Sequence, residues 1–111
     1  MKKFDYDSII FGWTIYILEC ANGSYYSDMS RNLKLDLEAI ENGGFWYFRK
    51  NKGLTPVKVV YKEPRVPFKE AWAKHTYLRM MTKLQRSKLI KTKKWPLGGA
   101  WKRFLLDDYQ K

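Results

Sequence analysis

A β-hairpin signature near the start of the chain constrains the fold more than any other feature. Residues Gly12 to Cys20 are rich in Trp, Thr, Ile and Tyr, which favour a strand. Asn22-Gly23 is a strong tight-turn pair, and Ser24 to Asp28 predicts the returning partner strand. The sequence therefore predicts an antiparallel hairpin as the first structural unit.

Apolar spacing after the hairpin predicts a first helix. Ser30 or Asn32 can cap it, and Leu33, Leu37 and Ile40 follow at i, i+4 and i+7. An Asn-Gly-Gly cluster at positions 42–44 ends this amphipathic helix.

Residues 45–55 combine aromatic and basic side chains and predict a loop. The β-branched run from Val57 to Tyr61 then predicts a third strand, which we expect to end at Pro64 because proline cannot donate to a sheet.

Two further helices are predicted in the second half of the chain. Pro67 suits the first turn of the longer one, and a shorter helix spans Leu84 to Lys91. The longer helix is expected to present one stripe formed by Phe68, Ala71, Trp72, His75 and Leu78.

The last part of the chain predicts a basic connection at 91–94, a break from Pro96 to Gly99 and a final helix from Ala100 to Tyr109. The residues of this helix expected to pack inward are Trp101, Phe104, Leu105 and Leu106. The whole chain, 1–111, is interpreted as one domain with a core of about 13–90 and a C-terminal helical extension at 91–111.

Composition is typical of a folded globular protein, because 45% of the residues are hydrophobic and 17% are aromatic. Cys20 is the single cysteine and cannot form an internal disulfide. No charged-then-apolar leader opens the sequence, and no apolar run approaches the roughly 20 residues of a membrane span. We therefore expect a cytoplasmic protein that does not enter a membrane.

Net charge favours a polyanionic partner. Twenty-two Lys and Arg residues against 11 Asp and Glu give a formal charge of +11, and nucleic acid is the commonest cytoplasmic polyanion. An acidic protein or an anionic membrane surface also fits, as does a role in solubility alone. The densest basic cluster is either a solvated face or a phosphate-contacting ridge, and it comprises Lys88, Lys91, Lys93 and Lys94.

Several segments together resemble a known family. Thr14-Ile15-Tyr16 stands at the position of one signature triplet, and Tyr26-Ser27-Asp28 stands at the second. Phe45 to Arg49 resembles an aromatic-then-arginine segment, and Pro56 to Tyr61 resembles a third strand. From about Trp13 to Ile90 the chain resembles a GIY-YIG domain of the small single-domain kind, similar to the N-terminal domain of the excision-repair nuclease subunit.

This resemblance implies an α+β fold in which a three-stranded antiparallel sheet is flanked by helices, in the order β-β-α-β-α-α followed by a C-terminal helix. It also implies a metal-dependent endonuclease. In that family a glutamate on the second long helix holds one divalent cation, an arginine on the first helix neutralises developing charge, and two tyrosines position or activate water.

The site residues of the family are only partly present here. Tyr16 and Tyr26 match the two tyrosines, whereas the glycine of the second triplet is replaced by Asp28. The arginine falls at Asp36 and the glutamate at His75. Because Mg²⁺ prefers oxygen ligands and a phosphate is repelled by added carboxylates, we expect metal-dependent hydrolysis to be lost and no cofactor to be needed.

Two alternatives remain for these residues. Asp36 and His75 could form a rebuilt metal site for Mg²⁺, Mn²⁺ or Zn²⁺, which would make the chain a divergent endonuclease. They could instead form a hydrogen-bonded pair that fills the vacated cleft, with Tyr16 and Tyr26 packing as core residues. A protein-interaction module that uses the old cleft is a third possible function.

The favoured interpretation is a nucleic-acid-binding module with an inactive nuclease site, and DNA is favoured over RNA. The segment at 45–55 supplies the best contact candidates through stacking and phosphate pairing. These candidates are Trp46, Tyr47, Arg49, Lys50 and Lys52.

Overall fold

A three-stranded antiparallel sheet forms the centre of the fold, as predicted. The structure is a computed structural model that describes residues 12–96 and 99–105. The strands are β1 (Trp13–Glu19), β2 (Tyr25–Ser30) and β3 (Lys58–Val66). They lie in the order β2-β1-β3, so that β1 is central and the other two are edge strands.

The predicted hairpin joins β1 to β2. Gly23 adopts a φ of +87°, a left-handed conformation that glycine accepts without strain. The Cys20 N–H donates to the Ser24 carbonyl at 2.8 Å and closes the turn. The resulting register places Tyr16 directly opposite Asp28. A residue pair in register shares one face of the sheet, so these two side chains are neighbours.

Helices cover both faces of the sheet. The first helix, α1 (Leu33–Glu41), begins after Asn32, whose side chain accepts the Leu35 N–H at 3.1 Å, and this confirms one of the two predicted caps. The helices are α1 (Leu33–Glu41), α2 (Trp46–Lys50), α3 (Phe68–Met80) and α4 (Lys83–Thr92), with a 3-10 helix at Ala100–Phe104.

Successive side chains of β1 point to opposite faces of the sheet, so the core consists of two clusters, one on each face. Ile15 and Ile17 point to one face, where they pack with residues of α3 and α4 such as Leu78 and Leu89. Tyr16 and Leu18 point to the opposite face, towards α1 and α2. The central strand is therefore buried on both sides, which explains why its sequence is nearly continuous in apolar residues.

Two predicted boundaries were wrong. Residues 45–55 contain the helix α2, because Phe48 is buried and anchors a short turn whose Phe48 and Arg49 N–H groups donate to the Phe45 carbonyl. The strand β3 continues past Pro64 to Val66. Proline is tolerated there because β3 is an edge strand and its register shifts near Arg65, where φ is +59°.

The predicted stripe on α3 was also inaccurate. Phe68 is exposed, whereas Ala73 and Lys74 are buried beside Ala71 and Leu78. The helix lies between the sheet and the 3-10 helix and therefore has more than one contacting face. The predicted final helix is a 3-10 helix in the described region, and Leu106 to Tyr109 lie outside the described residues.

None of the helices in residues 12–96 and 99–105 has the length and apolarity needed to cross a membrane.

Candidate functional site

A cleft of about 380 Å³ runs beside β2. Because β2 is an edge strand, side chains from three helices can approach it. Its walls contain Tyr25, Tyr26, Ser27 and Asp28 from β2, Tyr47 from α2, His75 and Arg79 from α3, and Arg86 from α4. The cleft thus combines cationic, phenolic and imidazole groups with one carboxylate.

Asp28 is the carboxylate at the centre of this cleft. Its Oδ2 accepts the Tyr26 hydroxyl at 2.9 Å, and its Oδ1 accepts the Met29 N–H at 2.8 Å. The Nδ1 of His75 lies 3.8 Å from the same Oδ1. Asp28 is therefore held in place by two hydrogen bonds and faces the only histidine of the chain.

His75 is held as a neutral imidazole. Burial lowers its pKa below the ordinary value of 6.5, because desolvation disfavours the charged ring. The Asp28 carboxylate opposes this effect, and the positive charge of Arg79 adds to it. The Nδ1 is buried without a hydrogen-bond partner while the ring lines the cleft, which leaves Nε2 as the nitrogen that can meet a ligand.

In the part of the chain that the structure describes, three buried side-chain polar atoms lack hydrogen-bond partners. They are the Tyr16 hydroxyl, the Ser27 hydroxyl and His75 Nδ1. Burial raises the pKa of Tyr16 and the nearby Asp28 charge raises it further, so the phenol stays protonated. Unpaired buried polar atoms are rare in folded proteins and point to a functional role or an ordered water.

The expected pair between Asp36 and His75 is absent. No hydrogen bond or ion pair joins these two described residues, and the carboxylate within ion-pair distance of His75 is that of Asp28. The physical reason is that α3 packs against β2, which carries Asp28. Asp36 lies in the first turn of α1. The pKa values of Tyr16 and Tyr26 are raised mainly by burial and then by the Asp28 charge, and the Asp36 charge makes the last and smallest addition.

The donor set of the cleft does not fit a hard divalent cation. Within the described ranges there is no group of three or more His, Cys, Asp or Glu side chains that could hold a metal ion. Both oxygens of Asp28 already accept hydrogen bonds, and the same walls carry Arg79 and Arg86. Mg²⁺ and Mn²⁺ prefer several free oxygen ligands, so the proposed metal pair of Asp36 and His75 finds no support in this geometry.

Sequence reasoning missed the two arginines of the cleft. Arg79 follows His75 by one helical turn on α3, so the i, i+4 rule could have placed it on the same face. Arg86 lies on the next helix, α4, so its position in the cleft could not be predicted without the three-dimensional fold. Its Nε donates to the Leu78 carbonyl at 2.9 Å, and its pKa is lowered by burial, although a guanidinium remains charged at neutral pH.

Aromatic side chains extend the cleft onto α2. The Tyr47 ring lies 5.1 Å from that of Tyr26, measured between centroids, and both line the cleft. The neighbouring Trp46 is 64% exposed, with the Lys50 ammonium 5.3 Å from its ring. Arg49 and Lys52 are also exposed. The predicted contact residues are therefore accessible, and Tyr47 among them lines the cleft.

The chain matches no family model. It is 33% identical over 79 residues to the UPF0213 protein CPE1444 of Clostridium perfringens, and the match covers 71% of this chain and 83% of that protein. This chain belongs to the UPF0213 family. The solution NMR structure of the UPF0213 protein BH0048 of Bacillus halodurans is also similar, with 22% identity, a TM-score of 0.49, and coverage of 78% of this chain and 89% of that one.

The lysine cluster of this UPF0213 protein lies outside the cleft. Lys88 and Lys94 line a separate groove of about 480 Å³, and Lys93 lines another of about 680 Å³ beside β3. Lys91 is exposed. These lysines therefore add positive charge to the surface but do not complete the cleft.

Proposed function

We propose that this UPF0213 protein is a nucleic-acid-binding module of the GIY-YIG fold that has lost metal-dependent endonuclease activity. The observation that carries the proposal is the union of two arginines with an aromatic surface in one cleft. Arg79, Arg86 and Tyr47 line the cleft, and the exposed Trp46 precedes Tyr47 on α2. A phosphate and a base of the same strand could be bound together by these groups.

The arginines favour a phosphate. Guanidinium groups donate two parallel hydrogen bonds to phosphate oxygens, and this geometry is preferred over contact with a point charge. The single carboxylate of the cleft is Asp28, which already accepts hydrogen bonds from Tyr26 and from the Met29 backbone. The cleft therefore retains donors for an anion even though it contains a negative charge.

Trp46 favours a base. The Lys50 ammonium lies 5.3 Å from the centroid of its exposed ring, and a nucleobase can replace this cation on the ring. Lys50 would then be free to pair with the adjacent phosphate. Stacking tolerates any base because each base has a π-face, so this surface supports binding without sequence preference.

The loss of metal-dependent hydrolysis is supported by the three changed positions. Asp36 replaces an arginine of the resembled family, which removes a cation and adds a negative charge. Removing one donor that stabilises the transition state commonly costs about 2.7–4 kcal/mol. His75 replaces the carboxylate ligand, and Asp28 introduces a side chain where the family has glycine. These changes act on the same step, so each further reduces hydrolysis.

The proposal is tested by fluorescence anisotropy with single-stranded and duplex DNA and with RNA. We expect binding that weakens steeply between about 50 and 200 mM salt, because bound phosphates release counterions. Arg79→Ala should lower the slope of log affinity against log salt by about one. Lys58→Ala is the matched control, since it removes the same charge from an exposed position on β3.

Nicking assays with Mg²⁺ and Mn²⁺ complete the test. We expect intact duplex DNA in both cases. Salt-insensitive binding, an absence of binding, or equal effects of Arg79→Ala and Lys58→Ala would contradict the proposed interface. Mg²⁺-dependent nicking would contradict the lost endonuclease activity and favour the divergent enzyme.

A further inference from the structure

The cleft residues that do not suit a metal ion have the chemical groups of a site for acid–base catalysis. A neutral imidazole at His75 lies beside a fixed carboxylate at Asp28, with two guanidinium groups in the same walls. A base, a group that orients it and cations for a charged phosphate are the requirements for general base catalysis at phosphorus. The geometry thus offers a route that needs no metal.

Such a route requires a nucleophile that the substrate itself supplies. RNA carries a 2′-hydroxyl next to each phosphodiester, whereas DNA does not. An internal nucleophile reacts with a high effective concentration, so the protein needs only to remove its proton and to stabilise the phosphorane. We propose that this cleft cleaves single-stranded RNA by attack of the 2′-hydroxyl on the adjacent phosphate, with His75 as general base. This inference rests on the proposed nucleic-acid binding.

The role of each group follows from its place in the cleft. Nδ1 of His75 is buried and faces Asp28, so Nε2 is the nitrogen that takes the 2′-hydroxyl proton. Asp28 is a positioning residue that favours the tautomer with hydrogen on Nδ1, and the hydrogen bond from Tyr26 holds it in turn. Arg79 and Arg86 pair with the phosphate oxygens as negative charge develops.

The 3.8 Å separation between His75 Nδ1 and Asp28 Oδ1 is longer than a hydrogen bond. Catalytic hydrogen bonds are often long without substrate and shorten when it binds. A substrate 2′-hydroxyl that donates to Nε2 would favour hydrogen on Nδ1 and draw the neutral ring towards Asp28. The unpaired Nδ1 would then gain the partner that it lacks in the free protein.

The reaction balances without a co-reactant. A bond forms between the 2′-oxygen and phosphorus, and the bond between phosphorus and the 5′-oxygen breaks. The proton taken by His75 is returned to the departing 5′-oxygen. The products are one fragment with a 2′,3′-cyclic phosphate and one with a 5′-hydroxyl.

The test incubates the full chain with a 5′-labelled single-stranded RNA in excess EDTA. We expect cleavage to a 2′,3′-cyclic phosphate, and no cleavage of the same oligonucleotide with 2′-deoxyribose throughout. His75→Ala should reduce the rate by about 10²–10⁴ because a general base is removed, while RNA binding by the variant remains measurable by anisotropy. Leu84→Ala, purified in the same way, is the control because Leu84 is exposed and lies outside the cleft.

Asp28→Asn provides a second variant that reports on positioning. The groups that act on His75 are Asp28 from β2 and Arg79 from its own helix, with the Trp72 ring 6.1 Å away. Because Asp28 raises the pKa of His75, its neutralisation should move the acidic limb of the pH–rate profile to lower pH. A purely structural role would lower the rate without this movement.

The outcomes separate this inference from the proposed function. RNA that is bound but remains intact overturns the inference and leaves nucleic-acid binding in place. Cleavage that persists in His75→Ala, that requires a metal ion, or that also occurs on the 2′-deoxy substrate overturns it as well. A chain that neither binds nor cleaves RNA or DNA overturns both proposals.

Discussion

Lys74 and His75 are consecutive residues on α3, and they differ in how their polar atoms are satisfied. Lys74 is 6% exposed, and its ammonium contacts two carboxylates, with 2.7 Å to Glu63 and 2.9 Å to Glu70. His75 has a buried nitrogen with no hydrogen-bond partner. Successive side chains of a helix point in different directions, so one helix serves two environments.

The surroundings of Lys74 form a closed network. The rings of Trp95 and Trp101 lie 5.1 and 4.8 Å from its ammonium. The Trp95 indole donates to the Glu63 carboxylate and to the Tyr61 hydroxyl. This network connects β3, α3 and the C-terminal 3-10 helix, and its groups are mutually paired.

The cleft around His75 is left open in comparison. His75 Nδ1 lies 3.8 Å from Asp28 without a hydrogen bond, and Arg79 and Arg86 line the cavity. A satisfied buried charge stabilises a fold, whereas an unsatisfied polar group reduces stability unless a ligand or water completes it. Lys74 is therefore part of the packing of the fold, whereas His75 lines an open cleft with a polar atom that the proposed ligand would satisfy.

The largest expected effect is on the stability of the Lys74 network. Lys74→Met should lower the free energy of unfolding by about 3 kcal/mol, at the low end for a broken buried ion pair because both glutamates are partly exposed. His75→Ala should lower it by only about 1 kcal/mol, since Nδ1 has no hydrogen-bond partner to lose and the loss is confined to ring packing. Urea denaturation measures the free energy of unfolding of both variants. Equal losses in the two would contradict the proposed difference between the Lys74 network and the His75 cleft.

The next effect is on affinity at the aromatic edge of the cleft. Trp46→Ala should weaken binding of single-stranded oligonucleotides by about 1–3 kcal/mol, because one stacking surface is lost. The free energy of unfolding should stay unchanged, since Trp46 is 64% exposed. Leu84→Ala is the matched control, as another exposed apolar residue on a different helix. Unaltered affinity in Trp46→Ala would place base contacts elsewhere.

The smallest expected effect is a pH dependence of stability from His75. Its pKa is lowered in the folded protein, so the unfolded chain binds more protons between that lowered pKa and 6.5. Stability should therefore fall as the pH decreases from 6.5 and level off below the folded pKa. His75→Gln should abolish this part of the profile. Thermal denaturation at a series of pH values measures this for both proteins. If the unaltered protein and His75→Gln show the same dependence of stability on pH, His75 is not desolvated in the folded state.

Local patterns predicted much of the fold. The strand composition and the Asn22-Gly23 turn identified the hairpin, and the cap at Asn32 marked the start of α1. The register was not predicted, because it depends on pairing across the sheet. Without it, Asp28 could not be assigned as the neighbour of Tyr16.

The site was harder to predict because it is assembled from separate elements. The resemblance placed Asp28, Asp36 and His75 in one cleft. In the structure Asp28 and His75 line the cleft, and the carboxylate within ion-pair distance of His75 is that of Asp28 and not that of Asp36. Arg86 approaches β2 only because α4 folds back after α3. The burial of Lys74 depends on Glu63 from a distant strand, and no local pattern on α3 indicates it.

Occupation of the cleft is tested most directly by the NMR signal of the His75 ring. The chain contains one histidine, so the histidine Hε1 resonance in the spectrum belongs to His75. Titration with a single-stranded 2′-deoxy oligonucleotide, which we expect to bind without being cleaved, should shift this resonance and saturate at the concentration found by anisotropy. An unchanged His75 signal, with shifts confined to the amides of Lys88 to Lys94, would contradict binding in the cleft.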